Sequence, residues 1–119
     1  MENSYGKSVV KRSEGFYNVS LYAAKQMLES GDFFVLDVRP HSLFTDSHIK
    51  GAVNISVIEL PDKIDEIPVS SKILLYCQFD IMSRSAAKKL VKAGFIEVYN
   101  IIGGFGAWCR AGYDYVSDI

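Results

Sequence analysis

The chain has only two cysteines, Cys77 and Cys109, in 119 residues. They form neither a Cys-x-x-Cys pair nor a His–Cys cluster at zinc spacing, which argues against a structural metal site and a disulfide-stapled scaffold. No metal is expected. An excess of charge of one sign is also missing. The formal net charge is −1, and the lone Lys11-Arg12 pair is too short for a polybasic tract, so no nucleic-acid partner is expected. No apolar run approaches the roughly 18 residues that a membrane span needs. The opening stretch from Met1 to Ser8 includes Glu2 and lacks the basic start and apolar centre of a secretory signal. No membrane association is expected, and a cytoplasmic location with reduced thiols is. Internal repeats, low-complexity stretches and interdomain linkers are absent too.

What is present is the balance of an ordinary globular domain: 49% hydrophobic and 23% charged residues. The length suits one domain with a core of fair size. Residues 1–17 read as an N-terminal tail or an added edge segment, and residues 18–119 as the domain. A helix is predicted over Leu21–Ser30, capped by Ser20 and ended by Gly31, with Leu21, Ala24, Met27 and Leu28 on one face. Phe33–Val38 is a continuous apolar run of strand length, the pattern of a strand buried on both faces. His41–His48 is polar and predicts a loop with a short helical turn. Ala52–Ile55 reads as a short strand, and Val57–Ile67 as one helix begun near Pro61 or two short turns. Ile73–Cys77 is another buried strand. Arg84–Ala93 carries helical spacing up to Gly94, Ile96–Ile102 reads as a strand, and Phe105–Ala111 as a short helix after the Gly103-Gly104 turn. Strands alternating with helices imply an α/β fold on a mainly parallel sheet.

Cys77 ends a core strand, and a loop and a helix follow. In open α/β sheets ligands bind outside the carboxyl ends of the strands. With the next helix beginning near Ser83-Arg84-Ser85, its free amides face the loop and favour anions and thiolates. Loop amides can add an anion-binding nest, and Arg84 a fixed positive charge that braces the loop or holds an oxyanion. The physical reading is a thiolate nucleophile in a cradle of amides. A buried cysteine that merely closes a strand is the plain alternative.

The pattern around it extends the reading. Leu36-Asp37-Val38-Arg39, Phe44-x-x-x-His48-Ile49-x-Gly51-Ala52-Val53-Asn54-Ile55, Tyr76-Cys77, Arg84-Ser85-x-Ala87, Gly94-Phe95 and Gly103-Gly104-x-x-x-Trp108 occur in that order. Together they resemble the rhodanese-like family from about residue 18 to residue 115. The resemblance implies a three-layer α/β/α sandwich on a five-stranded, mainly parallel sheet. It also implies a sulfurtransferase or sulfur carrier in which Cys77 takes a sulfane sulfur as a persulfide and passes it to a thiol or cyanide. Small-molecule or protein sulfur donors and thiol acceptors would be the partners, and no cofactor is needed. The site residues it implies are Cys77 as nucleophile, with Gln78, Phe79, Asp80, Ile81, Met82, Ser83, Arg84 and Ser85 around the substrate. Asp37 and Arg39 would support them, most simply as a local ion pair.

The loop departs from the family. The sulfurtransferases usually place four residues between cysteine and arginine, and the related phosphatases and arsenate reductases five, whereas six stand between Cys77 and Arg84 here. That spacing predicts a wider or bulged ring of amides. The loop has no glycine, so Asp80 is the residue expected to take any left-handed conformation. Its carboxylate is expected to point outward, because an unpaired inward charge is costly. Phe79, Ile81 and Met82 either line a substrate or protein-partner surface or tuck into the domain. No basic residue follows Cys77 directly, which weakens the case for thiosulfate as donor. A phosphatase or arsenate-reductase relative using the Cys77 thiolate and a non-catalytic binding module are the alternatives. His48 reads as a structural histidine, His41 as exposed, Trp108 as core, and Cys109 as a structural thiol more readily than a resolving one.

Overall fold

The computed structural model describes residues 8–117. Its elements in chain order are β1 (Val9–Lys11), β2 (Tyr17–Val19), α1 (Leu21–Ser30), β3 (Phe33–Asp37), α2 (His41–Asp46), β4 (Ser47–His48), β5 (Val53–Asn54), α3 (Leu60–Lys63), β6 (Lys72–Tyr76), α4 (Ile81–Lys92), β7 (Val98–Ile101), α5 (Gly104–Arg110) and β8 (Val116–Ser117). A single 3-10 turn, Ile64–Glu66, continues α3. The stretch read as one helix or two short turns is therefore two short turns, with Pro61 in the first.

The sheet order is β1-β2-β7-β6-β3-β5. Neighbours from β2 to β5 are parallel, and β1 alone runs antiparallel, against β2. The five parallel strands match the expected number, and the edge strand β1 makes a sixth. Not anticipated is a small antiparallel pair, in which Ser47 and His48 of β4 face Ser117 and Val116 of β8. Ser47-His48 and Val116-Ser117 are short and mixed in polarity and carry no strand signal that a sequence can show.

The apolar runs are continuous because both faces of the sheet are covered. Side chains alternate along β6. Ile73, Leu75 and then Cys77 enter one core with Leu60 of α3 and Ala86, Ala87 and Leu90 of α4. Leu74 and Tyr76 enter the other, with Ala23, Ala24 and Met27 of α1 and Phe105 and Trp108 of α5. This is a three-layer sandwich, and Cys77 leaves the sheet on the α4 side.

Capping explains where α1 begins and ends. Ser20 Oγ accepts a hydrogen bond from Ala23 N at 3.1 Å, and Gly31 closes the helix at φ 75° with its N–H donating to Leu28 O. The start of α4 corrects the expectation. The helix begins at Ile81, not near Ser83-Arg84-Ser85. Gln78–Asp80 is all that remains of the loop, and the other three residues of the long spacer are helical first turn. Asp80 has the residue type of an N-cap, but the exposed apolar pair Ile81-Met82 that follows it breaks the amphipathic pattern that marks a helix start.

Candidate active site

The carboxyl end of β6 delivers Cys77 directly beneath the first turn of α4. The first amides of a helix have no partner within it and need an acceptor from outside. An aspartate at the N-cap normally supplies one. Here Asp80 holds the N-cap position but makes no capping bond to the helix. The Cys77 sulfur takes that place: Ser83 N donates to Sγ at 3.3 Å. Ser83 Oγ lies 3.3 Å from the same sulfur and donates to Asp80 O at 3.0 Å. Ser83 and Cys77 are both buried, at 0% and 3% exposure. The sulfur is thus the acceptor for the α4 amide of Ser83, at a helix end where the field favours negative charge. A wide or bulged ring of amides is not what the six-residue spacer produces. Its second half is helix, and the amide of Ser83 is the one that meets the sulfur.

Asp80 turns elsewhere. Its two carboxylate oxygens accept from Gly103 N at 3.1 and 3.2 Å, and Oδ1 lies 3.5 Å from Asn100 Nδ2. Asn100 Nδ2 also donates to Asn18 Oδ1 at 3.0 Å. The carboxylate is therefore neither a solvated loop charge nor aimed at the thiol; it ties the loop to the end of β7. It needs no left-handed backbone to do so, as φ is −148°, and among the described residues only glycines have positive φ.

The left-handed freedom sits on the other wall. Gly103 and Gly104 start α5 at φ 81° and 62°. From there Phe105 N donates to Cys77 O at 2.8 Å and Gly106 N to Gln78 O at 2.9 Å. A Cβ on Gly104 would collide with the carbonyl oxygens of Cys77 and Phe79. The start of α5 therefore clamps the backbone of the cysteine loop from behind. Sequence reasoning read the glycine pair as a turn and missed this contact. The clue was there: three glycines within the first residues of a helix make a poor helix and signal close backbone approach.

Beside the loop, Asp37 and Arg39 form a fully buried pair, 0% and 2% exposed. Arg39 Nη2 donates to Asp37 Oδ2 at 2.7 Å and to Ser47 O at 2.6 Å, and Nε reaches both Asp37 oxygens at 3.1 Å. Nη1 donates to Gln78 Oε1 at 3.2 Å. The guanidinium lies 4.3 Å over the Phe105 ring. This is the local ion pair the sequence suggests, extended into a brace between β3, β4 and the cysteine loop.

A cleft of about 380 Å³ opens over the sulfur, lined by Arg39, Pro40, Leu43, Cys77, Gln78, Phe79, Asp80, Ile81 and Met82. Of the site residues predicted from sequence, Gln78 to Met82 meet here with Cys77, and Ser83 touches the sulfur from the helix. Arg84 and Ser85 are on the exposed side of α4. Arg84 reaches the Asp80 carboxylate only at 4.0 Å and is half exposed. Phe79, Ile81 and Met82 do not tuck into the domain; they are 63%, 86% and 46% exposed. Pro40 and Leu43, on the strand-to-helix turn after β3 and in α2, complete the apolar wall and were not anticipated. Among the described residues no group of His, Cys, Asp and Glu could hold a metal. His48 stacks on Phe44 at 3.9 Å with Nδ1 at 2.8 Å from Phe44 O, a structural arrangement. His41 contacts Asn54 at the exposed surface.

Comparison with known proteins places this geometry. The chain matches the Rhodanese-like domain over residues 11–111. It is 32% identical over 93 residues to the thiosulfate sulfurtransferase GlpE of Coxiella burnetii, covering 78% of this chain and 87% of that one. The GlpE of Vibrio cholerae is also 32% identical, over 96 residues, with 81% and 91% covered. Among solved structures, the Alr3790 protein from Anabaena sp. superposes with a TM-score of 0.76 at 32% identity, covering 84% of this chain and 80% of that one. A rhodanese-related protein from Thermoplasma volcanium shares the fold at the same TM-score and 24% identity, with 83% and 96% covered.

Proposed function

The chain belongs to the rhodanese-like domain family, with named sulfurtransferases among its relatives, and from that premise we propose that it moves a sulfane sulfur through a persulfide on Cys77. The Cys77 thiolate attacks the outer sulfur of a donor, the donor's own sulfur bond breaks, and the electron pair leaves with the remainder of the donor. The resulting Cys77 persulfide passes its terminal sulfur to a thiol or to cyanide, and the thiolate returns. The observation that carries the reading is the sulfur standing in for the missing N-cap of α4, with Ser83 N donating to it. Any negative charge on the sulfur is stabilised by that amide and the helix field. Clamping by Phe105 N and Gly106 N holds the loop, so the sulfur does not have to be repositioned between the two half-reactions. Ser83 and the Arg39–Gln78 brace are positioning groups; Cys77 is the reacting one.

Incubation with a sulfane-sulfur donor is expected to add the mass of one sulfur atom to the intact protein, and cyanide to remove it as thiocyanate. Cys77→Ser abolishes both, while Cys109→Ser leaves both in place. Absence of an adduct across inorganic and organic donors would sink the proposal.

The same cleft supports sulfur transfer over phosphate or arsenate chemistry. A tetrahedral dianion needs several converging donors, whereas here one amide meets the sulfur and the walls are apolar.

A further inference from the structure

A dianionic donor is a poor match for the walls of the Cys77 cleft. Its one cation is Arg39, whose charge is matched by the buried Asp37 carboxylate at 2.7 Å, and whose remaining bonds go to Ser47 O and Gln78. The other charged residue on the lining, Asp80, turns its carboxylate away to Gly103 N and offers an anion nothing to pair with. Arg84, the cation nearest in sequence, is half exposed on α4 and lies outside the lining. The apolar part of the lining is Pro40 and Leu43, from the end of the β3–α2 turn and from α2, with Phe79, Ile81 and Met82 from the cysteine loop and the start of α4. These apolar side chains stay exposed at the surface although the domain has two well-filled cores. Exposed apolar groups clustered over a reactive atom mark a ligand surface. The cleft volume, about 380 Å³, falls in the range of small-molecule sites.

From this we infer that the sulfur donor is an organic one: a sulfane sulfur bonded to the sulfur of an apolar alkyl or aryl thiol or sulfinate, carrying at most one negative charge, in preference to thiosulfate. The inference rests on the sulfur-transfer reading and specifies its donor. For an aryl thiosulfonate, the Cys77 thiolate bonds to the terminal sulfur, the bond between the two donor sulfurs breaks, and the aryl sulfinate departs with the electron pair. Two negative charges enter the step and two leave it, on the persulfide anion and the sulfinate. For an organic persulfide the leaving group is the thiolate of the apolar thiol. The aryl or alkyl group rests against Leu43, Phe79 and Met82, so binding energy comes from burying apolar surface rather than from pairing charge.

The test measures the rate of one-sulfur addition to Cys77 by intact mass with three donors: thiosulfate, methanethiosulfonate and benzenethiosulfonate. The two thiosulfonates carry the same charge and differ in apolar area. The wild type is compared with Met82→Lys and Leu43→Lys, both at exposed positions, so intrinsic donor reactivity cancels in each variant-to-wild-type ratio. We expect benzenethiosulfonate to load at least tenfold faster than methanethiosulfonate at equal low concentration, and saturably. In each lysine variant we expect benzenethiosulfonate loading to fall several-fold and thiosulfate loading to rise. Equal loading by the two thiosulfonates, or saturable thiosulfate loading undiminished beside them, overturns the inference while leaving sulfur transfer standing. Loading by none of the three removes both.

Discussion

Tyr76 shows how one buried polar group ties the sheet to the site. It is the last residue of β6, with 0% exposure, and its hydroxyl accepts a hydrogen bond from Ile49 N at 3.1 Å. Burial, followed by the nearby Asp37 carboxylate, pushes its phenol far above the ordinary range. The unfolded chain releases this proton near pH 10 and the folded protein does not. Above that pH the unfolded state therefore binds fewer protons, and stability falls as pH rises; below it the contribution is fully present. The slope from this one group is at most about 1.4 kcal/mol per pH unit. Tyr76→Phe removes the slope but leaves the Ile49 amide without its acceptor, a cost of about 1–3 kcal/mol. Urea midpoints between pH 7 and 11 are expected to show the variant weaker at neutral pH and converging on the wild type in alkali. Parallel curves would show that Tyr76 ionises in the folded state.

At the scale of elements, the start of α5 is the piece on which the cysteine loop depends. Gly104→Ala places a methyl group against the carbonyls of Cys77 and Phe79, which are backbone atoms and cannot rotate away. It also imposes a left-handed conformation that costs a side chain about 1–2 kcal/mol. Gly112 has a similar φ, 83°, but open space around its Cβ direction, so Gly112→Ala isolates the conformational cost. Urea unfolding is expected to show Gly112→Ala down by about 1–2 kcal/mol and Gly104→Ala down by clearly more. In any folded Gly104→Ala protein, sulfur loading of Cys77 slows because the loop has shifted. Equal losses for the two would mean that the clamp is not tight. This is also where sequence reading reaches its limit. Helix α1, with its Ser20 cap and Gly31 stop, and the apolar runs of β3 and β6 were legible because capping and strand burial are local. Cys77 was legible for the same reason: it ends a strand before a helix. The start of α4 was misplaced, because its cap is a sulfur from another element and Asp80 serves β7 instead. Pro40 and Leu43 were missed because they reach the site only through the fold, and the α5 clamp because its glycines signal a close backbone approach without naming the partner.

The whole sandwich decides what the second thiol can do. Cys77 packs into the core between the sheet and α3 and α4, whereas Cys109, on α5, packs against the core on the opposite face. A disulfide needs Cβ atoms about 3.5–4.5 Å apart, and the sheet stands between these two cores. Burial also pushes the Cys109 thiol up, against the opposing pull of Arg39 and Arg110, so less of it is thiolate at neutral pH and its attack on any partner is slow. Cys109 is therefore not placed to resolve an oxidised Cys77, and in the proposed reaction a Cys77 persulfide would discharge to an acceptor that enters the cleft. Mild peroxide treatment is expected to oxidise Cys77 without the two-hydrogen mass loss of an internal disulfide, and with the same product in Cys109→Ser. Non-reducing peptide mapping that found a Cys77–Cys109 link would require one layer of the sandwich to open. Either way the result separates a carrier that hands its sulfur outward from a protein that closes on itself.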